Sequence, residues 1–440
     1  MSYVVMSNIH DEDGGNKTQI TVSPKDRERL RSLAGQWMQI ASSEDISTKK
    51  KQWRALRDLK PIRPMILFET FSVSGFVTDQ DLLCEDEILK NVEKTFVYGI
   101  KQYMEVKDDI VLEKYFRLPW RVIRSDYGVK IVEHHAADSM GYVSNFPIQT
   151  PDDLPKLKNR TFHVDREGTL GLKQALEDIF GDILPVRIGN FDNFFADVGF
   201  NPFTGNNFIG VTMDAFKLTG NDNLMLWPYD SPEAMHSLMR FLTDDRLRFY
   251  RWMKDEGLLD FNSDNQFAGP SGYGYVSGLP QVGDARVPEF KDLWVWPESQ
   301  ETTMVSPQIF DEFYLKYIAE VANLFGLSYY GCCEALDDRL AQVRKALPNL
   351  RTVSVSGWNN FEKIAEQIGK DFVYCRKPTP SFISNNANWQ LIEKDLKDTY
   401  EATKRNGCPV ELVVRDVYDI QGDLGRIAEW VNLAKKIFGI

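Results

Sequence analysis

Cysteine and histidine are both scarce in this chain, five of each among 440 residues. The cysteines (Cys84, Cys332, Cys333, Cys375 and Cys408) are too few and too unevenly spread for a disulfide framework, so reduced thiols are expected. No apolar run reaches the roughly 18 residues that a membrane-crossing helix needs. The first residues lack the basic and apolar regions of a secretory signal, and a cytoplasmic location is the expectation. Positive charge is in deficit as well: 52 Lys and Arg against 64 Asp and Glu leave a net charge of -12. That balance argues against nucleic acid or a membrane surface held by bulk electrostatics. Also missing are a Gly-x-Ser-x-Gly elbow, a His-Glu-x-x-His helix and a Walker loop, each tied to a specific chemistry.

What is present is a well-cored globular composition, 43% hydrophobic and 12% aromatic. Residues 1–60 read as an N-terminal helical extension with helices over 24–40 and 48–59, where Leu30, Leu33, Trp37 and Ile40 recur at helical spacing. From residue 61 to 440 the pattern becomes short apolar runs followed by helical stretches, the alternation of a parallel sheet wrapped by helices. Eight strands are predicted, at 65–69, 109–116, 185–190, 293–297, 328–332, 351–355, 371–375 and 409–414. Helical patterns at 307–325, 336–347, 359–368, 389–406 and 423–438 separate or follow the last five. The expected fold class is therefore α/β, a (β/α)8 TIM-type barrel with the helical extension in front. The interval 191–290 exceeds any minimal barrel connection and predicts lid-like insertions, with an aromatic-rich loop from Phe191 to Phe208, a helix over 231–256 and glycine-rich 269–283.

Barrel active sites lie where the strands end, so polar residues just past each strand are the candidates. They are Glu69, Asn190, Asp192, Glu298, Gln300, Cys332, Cys333, Glu334, Ser356, Trp358, Cys375, Arg376, Lys377, Arg415 and Asp416. The sharpest element is Tyr330-Gly-Cys-Cys-Glu334, where an apolar strand delivers two thiols and a carboxylate. A thiolate is a zinc ligand and a nucleophile, although a buried cysteine is also an ordinary small hydrophobe. Arg376 and Lys377 follow Cys375 and suit a carboxylate or phosphate, or else a solvated loop. His134 and His135 would point to opposite faces of a strand, so at most one could serve a site.

Four segments carry a family resemblance: Leu218 to His236, Glu298 to Phe313, Tyr330 to Glu334 and Asp371 to Pro380. In order and spacing they resemble the uroporphyrinogen decarboxylase superfamily, which includes zinc methyltransferases that serve corrinoid proteins, over about residues 60 to 440. The resemblance implies a (β/α)8 barrel. The decarboxylase's Arg-Gln-Ala-Gly-Arg clamp is replaced by Phe68-Glu-Thr-Phe-Ser72. The methyltransferases' His-x-Cys falls on Gly331 and Cys333, and their second cysteine falls where Arg415 and Asp416 stand, so one of three ligands carries over.

The reading that results is the methyltransferase of a corrinoid-dependent demethylating system, moving a methyl group from a small methoxylated or methylated compound to a corrinoid-binding protein. In it Cys333 and Cys375 would hold zinc, and Glu334, Glu298 and Asp416 would be catalytic. Arg376, Lys377, Arg415, Trp358 and Phe191 would bind substrate. A metal-free decarboxylase-like lyase acting on a small carboxylate and a non-catalytic ligand-binding barrel are the alternatives, and homodimerisation stays open.

Overall fold

The computed structural model describes residues 2–6, 17–135, 142–189 and 207–440. Its framework strands, in chain order, are β1 (Met65–Phe68), β2 (Phe116–Leu118), β3 (Val186–Ile188), β4 (Trp294–Val295), β5 (Leu327–Tyr330), β6 (Leu350–Val355), β7 (Val373–Arg376) and β8 (Val410–Val414). Six of them form one parallel sheet in the order β4-β5-β6-β7-β8-β1, so the first framework strand pairs with the last. β2 and β3 form a separate parallel pair. The parallel α/β architecture expected from the sequence is thus present as six strands plus two. Among the described residues no ladder joins β1 to β2 or β3 to β4.

The second strand lies later than the expected 109–116 because side chains replace the ladder there. The carboxylates of Asp109 and Asp108 accept from the backbone N–H groups of Ile66 (2.7 Å) and Phe68 (2.8 Å), while Asp109 N–H donates to the Ile66 carbonyl. Beside β4, the Phe208 backbone makes an isolated parallel bridge with Trp296. Three antiparallel pairs outside this framework involve the segments Ser2–Met6, Val122–Arg124 and Glu133–His135.

Strand alternation sorts side chains between two cores. Met65, Leu67, Val373, Cys375, Val413, Tyr329 and Trp294 face one way, onto a cluster that includes Trp37, Trp53 and Leu56 from the N-terminal helices. Ile66, Phe68, Val353, Val355, Tyr374, Leu412 and Val414 face the other, onto the surrounding helices such as Gly425–Phe438. Burial on both faces explains why these strands read as nearly continuous apolar runs.

The N-terminal helices Pro24–Ala41 and Glu44–Arg57 begin on serine caps: Ser23 accepts from Asp26 N–H in a capping box and Ser43 from Ile46 N–H. The second helix starts before the expected residue 48 because Ser43 caps it. At its end Arg57, fully buried, inserts among the strand side chains. It donates to Glu411 (2.8 Å), Thr352 (2.8 Å) and the Tyr273 carbonyl (2.9 Å). Gly272 (φ +77°) passes so close that a Cβ there would lie 2.6 Å from both Arg57 Nη2 and Glu411 Oε2. The glycine-rich segment is therefore an interior strap, which is why it neither follows a strand nor opens a helix. No helix among the described residues is long and apolar enough to cross a membrane.

Candidate active site

The C-terminal ends of β4, β5, β7, β8 and β1 deliver Glu298, Cys333 with Glu334, Lys377, Arg415 with Asp416, and Glu69. Glu298, Glu334, Lys377, Arg415 and Glu69 are all buried. So many ionisable groups in a small dry volume must pair, neutralise or await a ligand.

The acidic side is built around Glu334. Its two oxygens accept from the N–H groups of Ser299 (3.1 Å) and Cys332 (2.7 Å), which fixes the turn after β5 against the turn after β4. Glu298 accepts from Gln300 N–H (2.9 Å) through one oxygen; the other, Oε1, is buried and has no hydrogen-bond partner. Glu301 completes the group and accepts from Thr212 (2.8 Å) at the start of the helix Val211–Asp230. Burial pushes Glu298 well above the usual carboxylate range, and Glu301 and Glu334 push it further. Burial also raises Glu301 and Glu334. Both effects favour the neutral form of Glu298, and its Oε1 is left without a partner.

The thiols differ from each other. Cys332 is buried against Phe208 and Trp296, and Cys333 is exposed, with the two sulfurs 3.6 Å apart. Their shared hydrogen bond lowers the pKa of Cys333 and raises that of Cys332, whose burial acts in the same direction. Cys333 is therefore the more readily ionised of the two.

On the basic side, Arg415 donates to the Pro270 carbonyl (2.6 Å), and its Nε lies 3.2 Å from Asp416 Oδ2 and 3.8 Å from Glu69 Oε2. Glu69 accepts a hydrogen bond from Ser271 of the glycine-rich strap. Burial raises Glu69, while Arg415 and Lys377 work against that shift. Lys377 Nζ has no hydrogen-bond partner and lies 5.7 Å from the Tyr329 ring. Asp416 holds a left-handed backbone (φ +59°), a strained conformation for a residue with a Cβ and one that recurs at functional sites.

Not every expected residue is brought here. Arg376 faces away from Lys377 because strand neighbours point to opposite faces. It is buried against the helix Trp389–Asn406, paired with Asp395 and over the Phe361 ring. Cys375 shares the face of Lys377 but sits deeper, level with Glu411, fully buried, its thiol pushed up to about 12 by burial and Glu411. Trp358 is 80% exposed on the loop after β6. Phe191, with Asn190 and Asp192, lies outside the described residues. Glu301 and Ser271 were absent from the sequence shortlist. The Glu298-Ser-Gln-Glu301 spacing was a usable signal for the first; nothing local signals the second, 202 residues from Glu69.

The described residues do not assemble the zinc site expected at Cys333 and Cys375. Among the described residues no three His, Cys, Asp or Glu side chains are grouped to hold a metal. Gly331, at the histidine position of the resembled family, has φ +96°, where a side chain is strained, and a Cβ would meet Ser354 and Leu336 at 3.2 and 3.3 Å. Arg415, a cation, stands at the second-cysteine position.

No family model and no curated protein matches the chain. Among solved structures, a methyltransferase from Methanosarcina mazei is similar at 13% identity and a TM-score of 0.46, over 89% of this chain and 99% of that one.

Proposed function

We propose that the chain is a methyltransferase that moves a methyl group from a small methoxylated or methylated compound to the cobalt of a corrinoid-binding protein, with Glu298 as the acid. One observation carries the reading: a buried carboxyl, whose surroundings favour its protonated form, presents an unpartnered oxygen beside an exposed thiol at the ends of the strands. An ether or amine is a poor leaving group until its heteroatom is loaded, and protonation loads it without a metal. As the methyl–heteroatom bond breaks, its electron pair stays on the heteroatom, which takes the Glu298 proton. The methyl carbon passes to reduced, nucleophilic cobalt, and solvent returns a proton to Glu298. Glu334 positions the turn that carries Glu298, Asp416 holds Arg415, and Cys333 lines the approach to the acceptor. Closure of the sheet and the β2–β3 pair into a (β/α)8 barrel belongs to the same proposal, supported by the pairing of β8 with β1.

A second reading, a metal-free carboxy-lyase, is favoured by the buried Lys377 and Arg415, which suit a substrate carboxylate. The two are separated by incubating the chain, a reduced corrinoid protein and a panel of methoxylated aromatics and methylated amines, following methyl-cobalt by its absorbance. Methyl-cobalt formation supports the first reading. Carbon dioxide release from a tested carboxylate without methyl-cobalt overturns it in favour of the second.

A further inference from the structure

We propose that Lys377 and Arg415 form a subsite for the carboxylate of a small apolar molecule whose other end reaches Glu298. The role given to Glu298 rests on the reading above; the carboxylate subsite stands on its own geometry. Lys377 is only 6% exposed, yet its ammonium has no hydrogen-bond partner, a costly state that an incoming anion relieves. The Nε of Arg415 likewise has no aligned acceptor, although Asp416 and Glu69 lie near it. Those two acids do not cancel the cations: Asp416 is partly exposed to water, and Glu69 is committed to Ser271. Burial also favours the neutral form of Glu69.

The charge selects the class of anion. One carboxylate matches the single unpartnered cation, Lys377, whereas a dianion such as phosphate brings charge that this cation alone does not balance. The geometry limits the size. Lys377 follows β7 and Glu298 follows β4, three strand spacings apart, at most about 14 Å between backbones before the two side chains reach inward. A molecule that reaches both groups is therefore small. The ammonium lies 5.7 Å from the Tyr329 ring, so the surroundings of the cation are apolar.

The test is calorimetric titration of the full chain with benzoate, benzamide and inorganic phosphate. Benzoate is expected to bind with one equivalent and benzamide at least about tenfold more weakly, the size of one charge-assisted contact. Lys377→Met should lose benzoate by at least about tenfold, while Lys377→Arg keeps most of the affinity. Equal binding of benzoate and benzamide, no binding of benzoate, tighter binding of phosphate, or undiminished benzoate affinity in Lys377→Met would each overturn the subsite. If Lys377→Met does not fold, the benzoate–benzamide comparison on the unmodified chain decides. Benzoate binding with a silent methyl-transfer assay would leave the subsite standing and count only against the methyltransferase reading.

Discussion

Replacing Glu298 by glutamine should stabilise the protein at neutral pH while removing its acid. Glutamine keeps the shape and can still accept from Gln300 N–H, so the change removes mainly the titration. In the folded chain the buried carboxyl, crowded by Glu301 and Glu334, holds its proton well above the ordinary value of 4.5, whereas in the unfolded chain it loses that proton near 4.5. Between those two points the folded state binds one more proton than the unfolded state, so stability falls as pH rises, by about 1.4 kcal/mol per pH unit. Below 4.5 both states are protonated and the group contributes no slope. The three carboxyls titrate as a group, so the slope belongs to the cluster and substitution at Glu298 removes about one proton from it. Urea unfolding of both proteins from pH 4 to pH 8 measures this. The stability of Glu298→Gln relative to the parent should climb above about pH 4.5, by about 1.4 kcal/mol per unit until the folded carboxyl ionises. Parallel stability curves would refute the protonated Glu298.

Arg57→Met should cost about 3–5 kcal/mol in unfolding free energy, because it strands Glu411 in a dry interior, and adding Glu411→Gln should recover part of the loss. Gly272→Ala should also destabilise, measurably in the same urea assay, since its Cβ would press on that ion pair and its φ is positive. Iodoacetamide at neutral pH should modify Cys333 first, with Cys332 and Cys375 protected by burial and raised pKa, as peptide mass mapping would report. Equal labelling of Cys332 and Cys333 would contradict the asymmetry of the pair.

The parts of this molecule that were legible in the sequence are those governed by local pattern. Met65–Phe68 and Val410–Val414 read as strands because both faces of a parallel strand are apolar. Glu298, Cys333, Glu334 and Asp416 stand out as candidates in the sequence because a polar residue just past such a run has few structural reasons to be there. Parity along β7 also separates Arg376 from Lys377, but which face is inward is set by the rest of the fold. Cys375 shows the same limit in depth: its strand and face were readable, its level beneath Lys377 was not. The contacts of Arg57 with Glu411 and of Ser271 with Glu69 join residues 354 and 202 positions apart, and no window of sequence announces them. The late start of β2 is hidden for another reason, since Asp108 and Asp109 imitate a ladder with their side chains.

The most direct test of the account is the rate of cobalt methylation against pH for the parent chain and Glu298→Gln, each with a reduced corrinoid protein and an active methyl donor. The parent rate should fall as pH rises through the ionisation of the carboxyl cluster, and Glu298→Gln should be slower by at least about a hundredfold and lose that pH dependence. A glutamine variant that methylates cobalt at the parent rate, with the same pH profile, would contradict the assignment of Glu298 as the acid.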